Sequence, residues 1–147
     1  FFVQSIGTIL SCYKQCVGTP RQGLLVPHSR AVLLLSNNIS PDALDGVEEF
    51  SHVWLTFQFH LNTNTLKEAK AFDKSKYTFS AKVTPPMLKQ KKGVFATRSP
   101  HRPNAVGITL ARIEAVYKTE RMLLLSACDL VHSTPILDIK PYVPIYD

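Results

Sequence analysis

The densest group of chemically active side chains lies between residues 96 and 107. It contains two arginines, a histidine and an asparagine, interrupted by Pro100 and Pro103. Each proline restricts its own φ angle and disfavours the helical region for the residue before it, so Ser99 and Arg102 are predicted to be extended. A guanidinium donates two parallel hydrogen bonds to a pair of oxygen atoms. The segment therefore predicts a stiff loop that holds an anionic or carboxylate-bearing ligand.

Three further polar clusters have side chains suited to binding or catalysis. The turn at 18–23 offers an arginine and a glutamine, although a surface turn explains it equally well. His60 shares a predicted strand face with Gln58, and a structural histidine is the alternative interpretation there. Asp138 and Lys140 stand two residues apart in an extended segment and therefore face the same way. They predict either a simple surface ion pair or a pair that orients a substrate and tunes its protonation.

The composition describes a basic globular protein. Its 147 residues are 45% hydrophobic, which is enough for one domain with a core. The formal net charge of +6 favours a polyanionic partner, although many basic proteins bind no nucleic acid. No apolar run approaches the roughly 18 residues of a membrane span. The three cysteines form neither a disulfide framework nor a zinc site. We expect reduced thiols, no metal, no membrane contact and an intracellular compartment, either the cytoplasm or an organelle.

The elements that must position these side chains are mostly strands. Residues 51–61 alternate apolar and polar side chains, which predicts one apolar face and one ligand-capable face. Residues 106–116 fit either a strand or a short helix. Ser40 and Pro41 mark the start of a short helix, which Gly46 can end. Further strands are predicted at 2–10, 30–35, 80–83 and 122–131.

This strand-rich pattern favours a mainly β fold. Ten prolines and many short strands predict a β-barrel or sandwich with a few short helices. The six glycines form no GxGxxG motif, so a Rossmann-type cofactor site is not expected. The GxSxG and HExxH motifs of hydrolases are absent too. We expect a single domain over 1–147 with an exposed, charged insertion around 64–78, for which direct RNA contact is the alternative to a solvated loop.

Four motifs follow one another along the chain. They are Gly-Thr-Pro-Arg-Gln at 18–22, Phe-Ser-His-Val-Trp at 50–54, Thr-Arg-Ser-Pro-His-Arg-Pro-Asn-Ala-Val-Gly at 97–107, and Thr-Pro-Ile-Leu-Asp-Ile-Lys-Pro-Tyr at 134–142. Together they resemble the TrmO family of tRNA methyltransferases, also known as the YaeB or TsaA-like family. His132 and Ser133 stand where bacterial members carry Asp-Gly, as in the eukaryotic branch. A serine at 133 lacks the easy access of glycine to a positive φ angle.

The resemblance implies a single non-Rossmann β-barrel that works as a homodimer. It also implies transfer of a methyl group from S-adenosyl-L-methionine (SAM) to N6 of threonylcarbamoyl-adenosine at position 37 of tRNA, on the 3′ side of the anticodon. The cofactor contacts of the family would fall on Pro20, Arg21, Gln22, His60, Leu61, Arg98, Ile108, Leu130, Val131, His132 and Ser133.

The chemistry of this reaction suggests roles for the remaining polar residues. The protein must align N6, the methyl carbon and the sulfur for in-line transfer. Asp138 is the candidate base for the N6 proton, and Lys140 would hold it ionised or pair with the threonyl carboxylate. Arg102 and Asn104 are candidates for binding the threonylcarbamoyl arm. Phosphate contacts are predicted for Lys89, Lys91, Lys92 and Lys140.

Two other functions remain compatible with the sequence. One is a non-catalytic barrel module that binds RNA or a nucleotide-like ligand. The other is a SAM-dependent methyltransferase acting on a small molecule, against which the +6 charge weighs modestly.

Overall fold

The computed structural model describes residues 2–15, 19–20, 22–61 and 80–147. Within them lie eight strands: β1 (Gly7–Ser11), β2 (Arg30–Leu35), β3 (His52–Gln58), β4 (Lys82–Val83), β5 (Lys92–Gly93), β6 (Val106–Tyr117), β7 (Met122–Ser126) and β8 (Pro135–Pro141). Short 3-10 helices span Gly23–Leu25, Pro41–Leu44, Val47–Glu49 and Val94–Ala96. No helix in the described ranges combines the length and the apolar character that crossing a membrane requires. The predicted insertion at 64–78 falls outside the described residues.

Two compact units make up the chain. The barrel unit consists of Phe1–Gln58 and Ile108–Asp147, and the hairpin unit consists of Phe59–Gly107. Six of the described strands close into a barrel in the order β1-β2-β7-β6-β3-β8. The mainly β fold, the barrel and the short helices are thus confirmed, and the sandwich alternative was wrong. Closure pairs the backbone of every barrel strand on both sides, so no sheet edge is left open.

The interior of the barrel follows the alternation that the sequence predicts for strands. In β3, Val53, Leu55 and Phe57 are buried, and the residues between them are partly exposed. In β2, Leu33 is fully buried while its neighbour Leu34 is 39% exposed. Successive side chains of a strand point to opposite faces, so one face of each strand fills the core. The other strands contribute Ile9, Ala111, Leu123, Leu125 and Ile136.

Two strands end earlier along the chain than predicted. β3 ends at Gln58 rather than at 61, because the amide of Phe59 donates instead to the carbonyl oxygen of Ala105, at 2.8 Å, in the hairpin unit. β7 ends at Ser126 rather than at 131, because Ala127 adopts a φ angle of +53°. A left-handed residue turns the chain out of the sheet, and periodicity does not reveal it. The other strand predictions hold, with β1 and β4 beginning later than expected at Gly7 and Lys82.

β6 resolves the one ambiguous prediction in favour of a strand. Its register against β7 shifts between Ile113 and Ala115, so Glu114 is the extra residue of a β-bulge. The bulge lets Ile113 and Val116, three positions apart, pair with the buried Leu125 and Leu123. The spacing of three residues between the apolar Ile113 and Val116 also fits one face of a helix, and here it arises from a strand that a bulge interrupts.

The predicted short helix is a 3-10 helix at Pro41–Leu44. The amide of Asp42 donates to the side-chain oxygen of Ser40 at 3.3 Å, which is the predicted N-cap. Gly46 follows with a φ angle of +80°. The start and end signals are therefore confirmed.

The hairpin unit contains a two-stranded antiparallel sheet. Lys82 lies opposite Gly93, and Val83 lies opposite Lys92. The amide of Val94 extends this pairing by donating to the carbonyl oxygen of Ala81 at 2.9 Å. Val94 is almost fully buried and begins the 3-10 helix Val94–Ala96. A buried residue thus anchors the end of the hairpin.

Candidate functional site

The first predicted cofactor segment packs against the chain that follows β7. Pro20 is half-buried, Gln22 is exposed, and Arg21 lies outside the described residues. A Cβ atom built on Gly23 would stand 1.8 Å from the carbonyl oxygen of Ala127. Only a glycine allows two backbones to approach this closely. Gln22 is therefore held next to the start of the segment that carries the last predicted cofactor contacts.

Three hydroxyl groups of the barrel unit pin consecutive residues of that segment. Ser29 Oγ donates to the carbonyl oxygen of Cys128 and accepts from its amide, both at 3.1 Å. Thr109 Oγ1 donates to Asp129 Oδ1 at 2.9 Å. Ser11 Oγ donates to the carbonyl oxygen of Leu130 at 2.7 Å. Sequence reasoning missed these positions, because isolated serines and threonines in or beside strands carry no motif.

The turn at 131–134 continues the pinned segment. The amide of His132 donates to the carbonyl oxygen of Tyr13 at 2.6 Å, and the amide of Ser133 donates to that of Ile9 at 2.7 Å. Thr134 closes the turn by donating its amide to the carbonyl oxygen of Val131 at 3.1 Å. Ser133 has a φ angle of +68°. The turn thus keeps the positive φ that a serine was expected to disfavour. Since His132, at the second position, has no positive φ, a positive φ at the third position makes this a type II-like turn.

The imidazole of His132 has a defined partner. Its Nδ1 lies 3.2 Å from the amide nitrogen of Ser11 and accepts that hydrogen. A neutral imidazole whose Nδ1 accepts carries its proton on Nε2, so Nε2 is the donor available to a ligand. The ring also borders a groove of about 270 Å³ on the outer surface of the barrel, lined by Leu10, Ser11, Arg30, Ala31, Val32, Leu124 and His132.

Asp138 and Lys140 lie on β8, as predicted, and face the same way. Lys140 Nζ donates to Asp138 Oδ2, and the two side chains are 69% and 46% exposed respectively. The register of β8 shifts beside Asp138, which lies opposite Thr56, so Leu137 is an extra residue in the strand. The structure therefore contains the surface ion pair, and the role in orienting a substrate stays a prediction.

The loop at 97–107 holds its shape through its own hydrogen bonds. Arg102 Nη1 donates to the carbonyl oxygens of Thr97, at 2.7 Å, and Ser99, at 3.2 Å. The hydroxyl of Thr97 donates to the carbonyl oxygen of Val94 at 2.8 Å. The predicted stiffness is therefore present, and Arg102 contributes to it directly. Arg98 and Asn104, the other two candidates of this loop, have exposed side chains.

The remaining cofactor candidates are divided between the two units. His60, half-buried, and Leu61, 47% exposed, follow the end of β3 in the hairpin unit. Ile108 is 54% exposed on β6 in the barrel unit. The structure thus brings Gln22 together with residues 130–133 in one unit, and places His60 and Leu61 with the 97–107 loop in the other.

Burial makes the thiol beside the pinned segment inert. Cys128 is 1% exposed, and its removal from water raises the pKa of the thiol to about 12. It therefore stays protonated and non-nucleophilic at neutral pH. Cys12 is an exposed free thiol, and Cys16 lies outside the described residues. Among the side chains that the structure describes, no three His, Cys, Asp or Glu cluster as metal ligands would.

These features define a class: a small, closed, antiparallel β-barrel. Its polar candidates lie on irregular segments and, for Asp138 and Lys140, on strand β8, rather than on a Gly-rich phosphate loop. A family model of the tRNA-methyltransferase O N-terminal domain matches residues 8–147. The chain belongs to that family.

Similar proteins of known name agree with this assignment. The chain is 46% identical over 148 residues to the tRNA (adenine(37)-N6)-methyltransferase of Mus musculus, covering 98% of this chain and 31% of the mouse protein. It is 38% identical to that of Escherichia coli (strain K12), covering 98% of this chain and 58% of the other. The crystal structure of TrmO from Pseudomonas aeruginosa superposes with a TM-score of 0.76 at 39% identity, covering all of this chain and 58% of the other. The chain thus spans about a third of its mouse relative.

The close approach at Gly23 predicts a local loss of stability. Gly23→Ala is expected to lower the free energy of unfolding by about 1–3 kcal/mol, because its Cβ would overlap the backbone of Ala127. Gly93→Ala is the matched control, since a Cβ there meets nothing within 4 Å. Urea unfolding followed by the fluorescence of Trp54 measures both. Equal stability of the two variants would contradict the packing of the Gln22 segment described above.

Proposed function

We propose that this protein is a SAM-dependent tRNA methyltransferase that acts on N6 of the adenosine at position 37. One observation carries the proposal: the 46% identity to a tRNA (adenine(37)-N6)-methyltransferase extends over 98% of this chain. Homo sapiens has a relative of the same name that is 44% identical. Two more distant relatives, from Pyrococcus abyssi and Methanothermobacter thermautotrophicus, are named as probable S-adenosyl-L-methionine-binding proteins.

Two finer statements belong to the same proposal. The substrate nucleotide is threonylcarbamoyl-adenosine, whose carboxylate suits the guanidinium-rich loop at 97–107. The active form is a homodimer, for which the outward-facing Leu10 and Leu34, 41% and 39% exposed, offer apolar surface. Both follow from the family resemblance.

The proposed cofactor contacts suit the chemistry of SAM. This cofactor combines a carboxylate, an ammonium and a nucleoside, and when bound it supplies an electrophilic methyl group on a sulfonium. The exposed guanidinium of Arg98 matches the carboxylate, and the exposed side chain of Ile108 offers apolar contact. Residues 130–133 present backbone groups and the imidazole of His132 on a segment that hydrogen bonds hold in place. A segment fixed in this way loses little entropy on binding.

The residues of this chain would then position the acceptor and remove its proton. Asp138 is a carboxylate paired with Lys140, and it is exposed enough for a substrate to reach it. We propose that Asp138 accepts the N6 proton as the carbon–nitrogen bond forms. Arg102 and Asn104 would hold the threonylcarbamoyl arm, while Arg102 also stabilises its own loop.

Methyl transfer can be tested directly. The purified protein is incubated with methyl-tritiated SAM and with tRNA that either carries or lacks the threonylcarbamoyl group. We expect label only in the modified tRNA and, after nuclease digestion, only on N6 of that nucleoside. Binding of SAM or tRNA without methyl transfer would favour the non-catalytic module. Label in small molecules alone would favour a methyltransferase that acts on a small molecule.

The two arginines of the 97–107 loop should separate kinetically. Arg98→Ala is expected to raise KM for SAM about tenfold or more, because a lost charge-assisted hydrogen bond costs roughly 1.5–3 kcal/mol. Arg102→Ala is expected to raise KM for tRNA instead. Arg112→Ala, which removes an exposed arginine of the barrel unit, is the control. The division would be wrong if both variants altered the same KM to the same extent.

Asp138→Asn tests the proposed base. The amide keeps the shape of the side chain but cannot take up a proton, so kcat should fall about 10²–10⁴-fold with little change in KM. Asp45→Asn serves as the control, because Asp45 is also an exposed carboxylate paired with a lysine, Lys118. Full methylation by Asp138→Asn at saturating cofactor would remove Asp138 as the base.

A further inference from the structure

The positive charge of this protein is concentrated in one part of the hairpin unit. Residues 80–107 contain six lysines and arginines and no aspartate or glutamate. Six of the 17 cationic residues lie there, which leaves 11 cationic residues to balance the 11 acidic residues of the remaining chain. The whole net charge of +6 therefore comes from this segment. Such a segment attracts a polyanion, while the rest of the chain is neutral overall.

The β4–β5 hairpin brings part of this charge next to an exposed aromatic ring. Lys82 lies opposite Gly93 in the ladder, so their Cα atoms are about 5 Å apart. Phe95 follows Gly93 by two residues and is therefore within roughly 12 Å of Lys82 along the backbone. Lys91 and Lys92 precede Gly93 directly. Lys92 lies opposite Val83, the next position of the ladder, so its side chain leaves the other face of the hairpin from that of Lys82. Phe95, Lys82 and Lys91 thus belong to one end of the hairpin.

Phe95 is exposed although its backbone is fixed. Phe95 is 75% exposed, while the preceding Val94 is only 2% exposed. The carbonyl oxygen of Val94 accepts hydrogen bonds from the amide and the hydroxyl of Thr97, at 3.2 and 2.8 Å. These contacts hold the 3-10 turn from both ends. The ring is therefore presented on a rigid support and needs little ordering when a partner binds.

Space around the hairpin permits close approach by a partner. A Cβ atom built on Gly93 would meet nothing within 4 Å. Met87 and Leu88, in the connection between β4 and β5, are 86% and 56% exposed. A single exposed apolar residue is ordinary, but here exposed apolar side chains occur in the same short segment as four lysines, with no acid among them. An aromatic ring beside several ammonium groups is the arrangement that binds single-stranded nucleic acid, through base stacking and phosphate neutralisation.

We propose that Phe95 is a stacking platform for an unpaired RNA base, and that Lys82 and Lys91 neutralise the adjoining phosphates. This inference rests on the proposed function, because it assigns the hairpin to the loop of the tRNA substrate. Stacking requires a base free of its helix, so the surface distinguishes a loop from a duplex. An acidic peptide would satisfy the lysines but would offer no base to stack on the ring.

Binding of two RNA probes tests the proposal. One probe is a 17-nucleotide stem-loop with the sequence of an anticodon arm, and the other is a fully paired duplex of similar charge. Fluorescence anisotropy should show that Phe95→Ala weakens stem-loop binding about 5–150-fold, since one stacked base contributes roughly 1–3 kcal/mol. Duplex binding should not change. Phe95→Trp should retain the affinity for the stem-loop, whereas Phe95→Leu should lose most of it.

Matched controls separate stacking from charge and from folding. Phe2→Ala removes a fully exposed phenylalanine whose neighbours in sequence are uncharged, and it should alter neither probe. Lys82→Ala should weaken the binding of both probes and reduce the slope of log affinity against log salt by about 0.7–0.9. Phe95→Ala should leave this slope unchanged. The thermal midpoint and SAM binding of Phe95→Ala should match those of the unaltered protein, because the side chain is largely exposed.

Three outcomes would overturn the stacking role of Phe95. Phe95→Ala could bind the stem-loop as tightly as the unaltered protein does, or it could lose affinity for the stem-loop and the duplex to the same extent. Polyglutamate could also bind with the same dependence on Phe95. A failure of the proposed function gives a different result: the unaltered protein would bind the stem-loop through Phe95 but transfer no methyl group to tRNA.

Discussion

Three hydroxyl groups on the barrel control the shape of the segment on which four of the eleven proposed cofactor contacts lie. Ser29, Thr109 and Ser11 bind residues 128, 129 and 130 in turn, after Ala127 has directed the chain out of β7. The barrel supplies these groups at fixed positions because its strands are closed into a ring. An irregular, apolar segment thereby acquires a defined backbone without secondary structure of its own. The turn that carries His132 and Ser133 depends on this anchoring.

Hydrogen bonds outside regular secondary structure also shape the second polar region, which is the loop at 97–107. The loop at 97–107 is stiffened by Arg102, Thr97 and two prolines rather than by a sheet. Residues 80–107, which contain both this loop and the β4–β5 hairpin, carry the net charge of +6, and Phe95 is exposed between the two. A rigid barrel unit, with 7 Lys and Arg against 9 Asp and Glu, and a basic hairpin unit suit different tasks. The first suits holding a small ligand in defined geometry, and the second suits a flexible polyanion whose affinity depends on salt.

Sequence reasoning predicted the elements well where one face of a strand is buried. The alternation of apolar and polar residues in β2 and β3 reflects burial. The predicted end of β3 was wrong because the backbone amide of Phe59 donates to a residue outside the barrel sheet. Sequence reasoning failed at Ala127 and was ambiguous at Glu114, because a left-handed residue and a bulge both interrupt a strand without changing its composition. The rigid loop and the aligned pair Asp138 and Lys140 were predictable, since prolines and a period of two act locally.

The sequence by itself determined the class of fold, the excess of positive charge and the four motifs that identify the family. These properties depend on composition and on short-range order, which neighbouring residues specify. Tertiary structure alone decided that Gly23 lies against Ala127, that Ser11, Ser29 and Thr109 support the Leu130 segment, and that Ser133 takes a positive φ angle. Each of these results joins residues far apart in the chain or satisfies a backbone group whose partner only the closed barrel supplies. Such contacts produce no periodic pattern of residue types, so the sequence alone does not predict them.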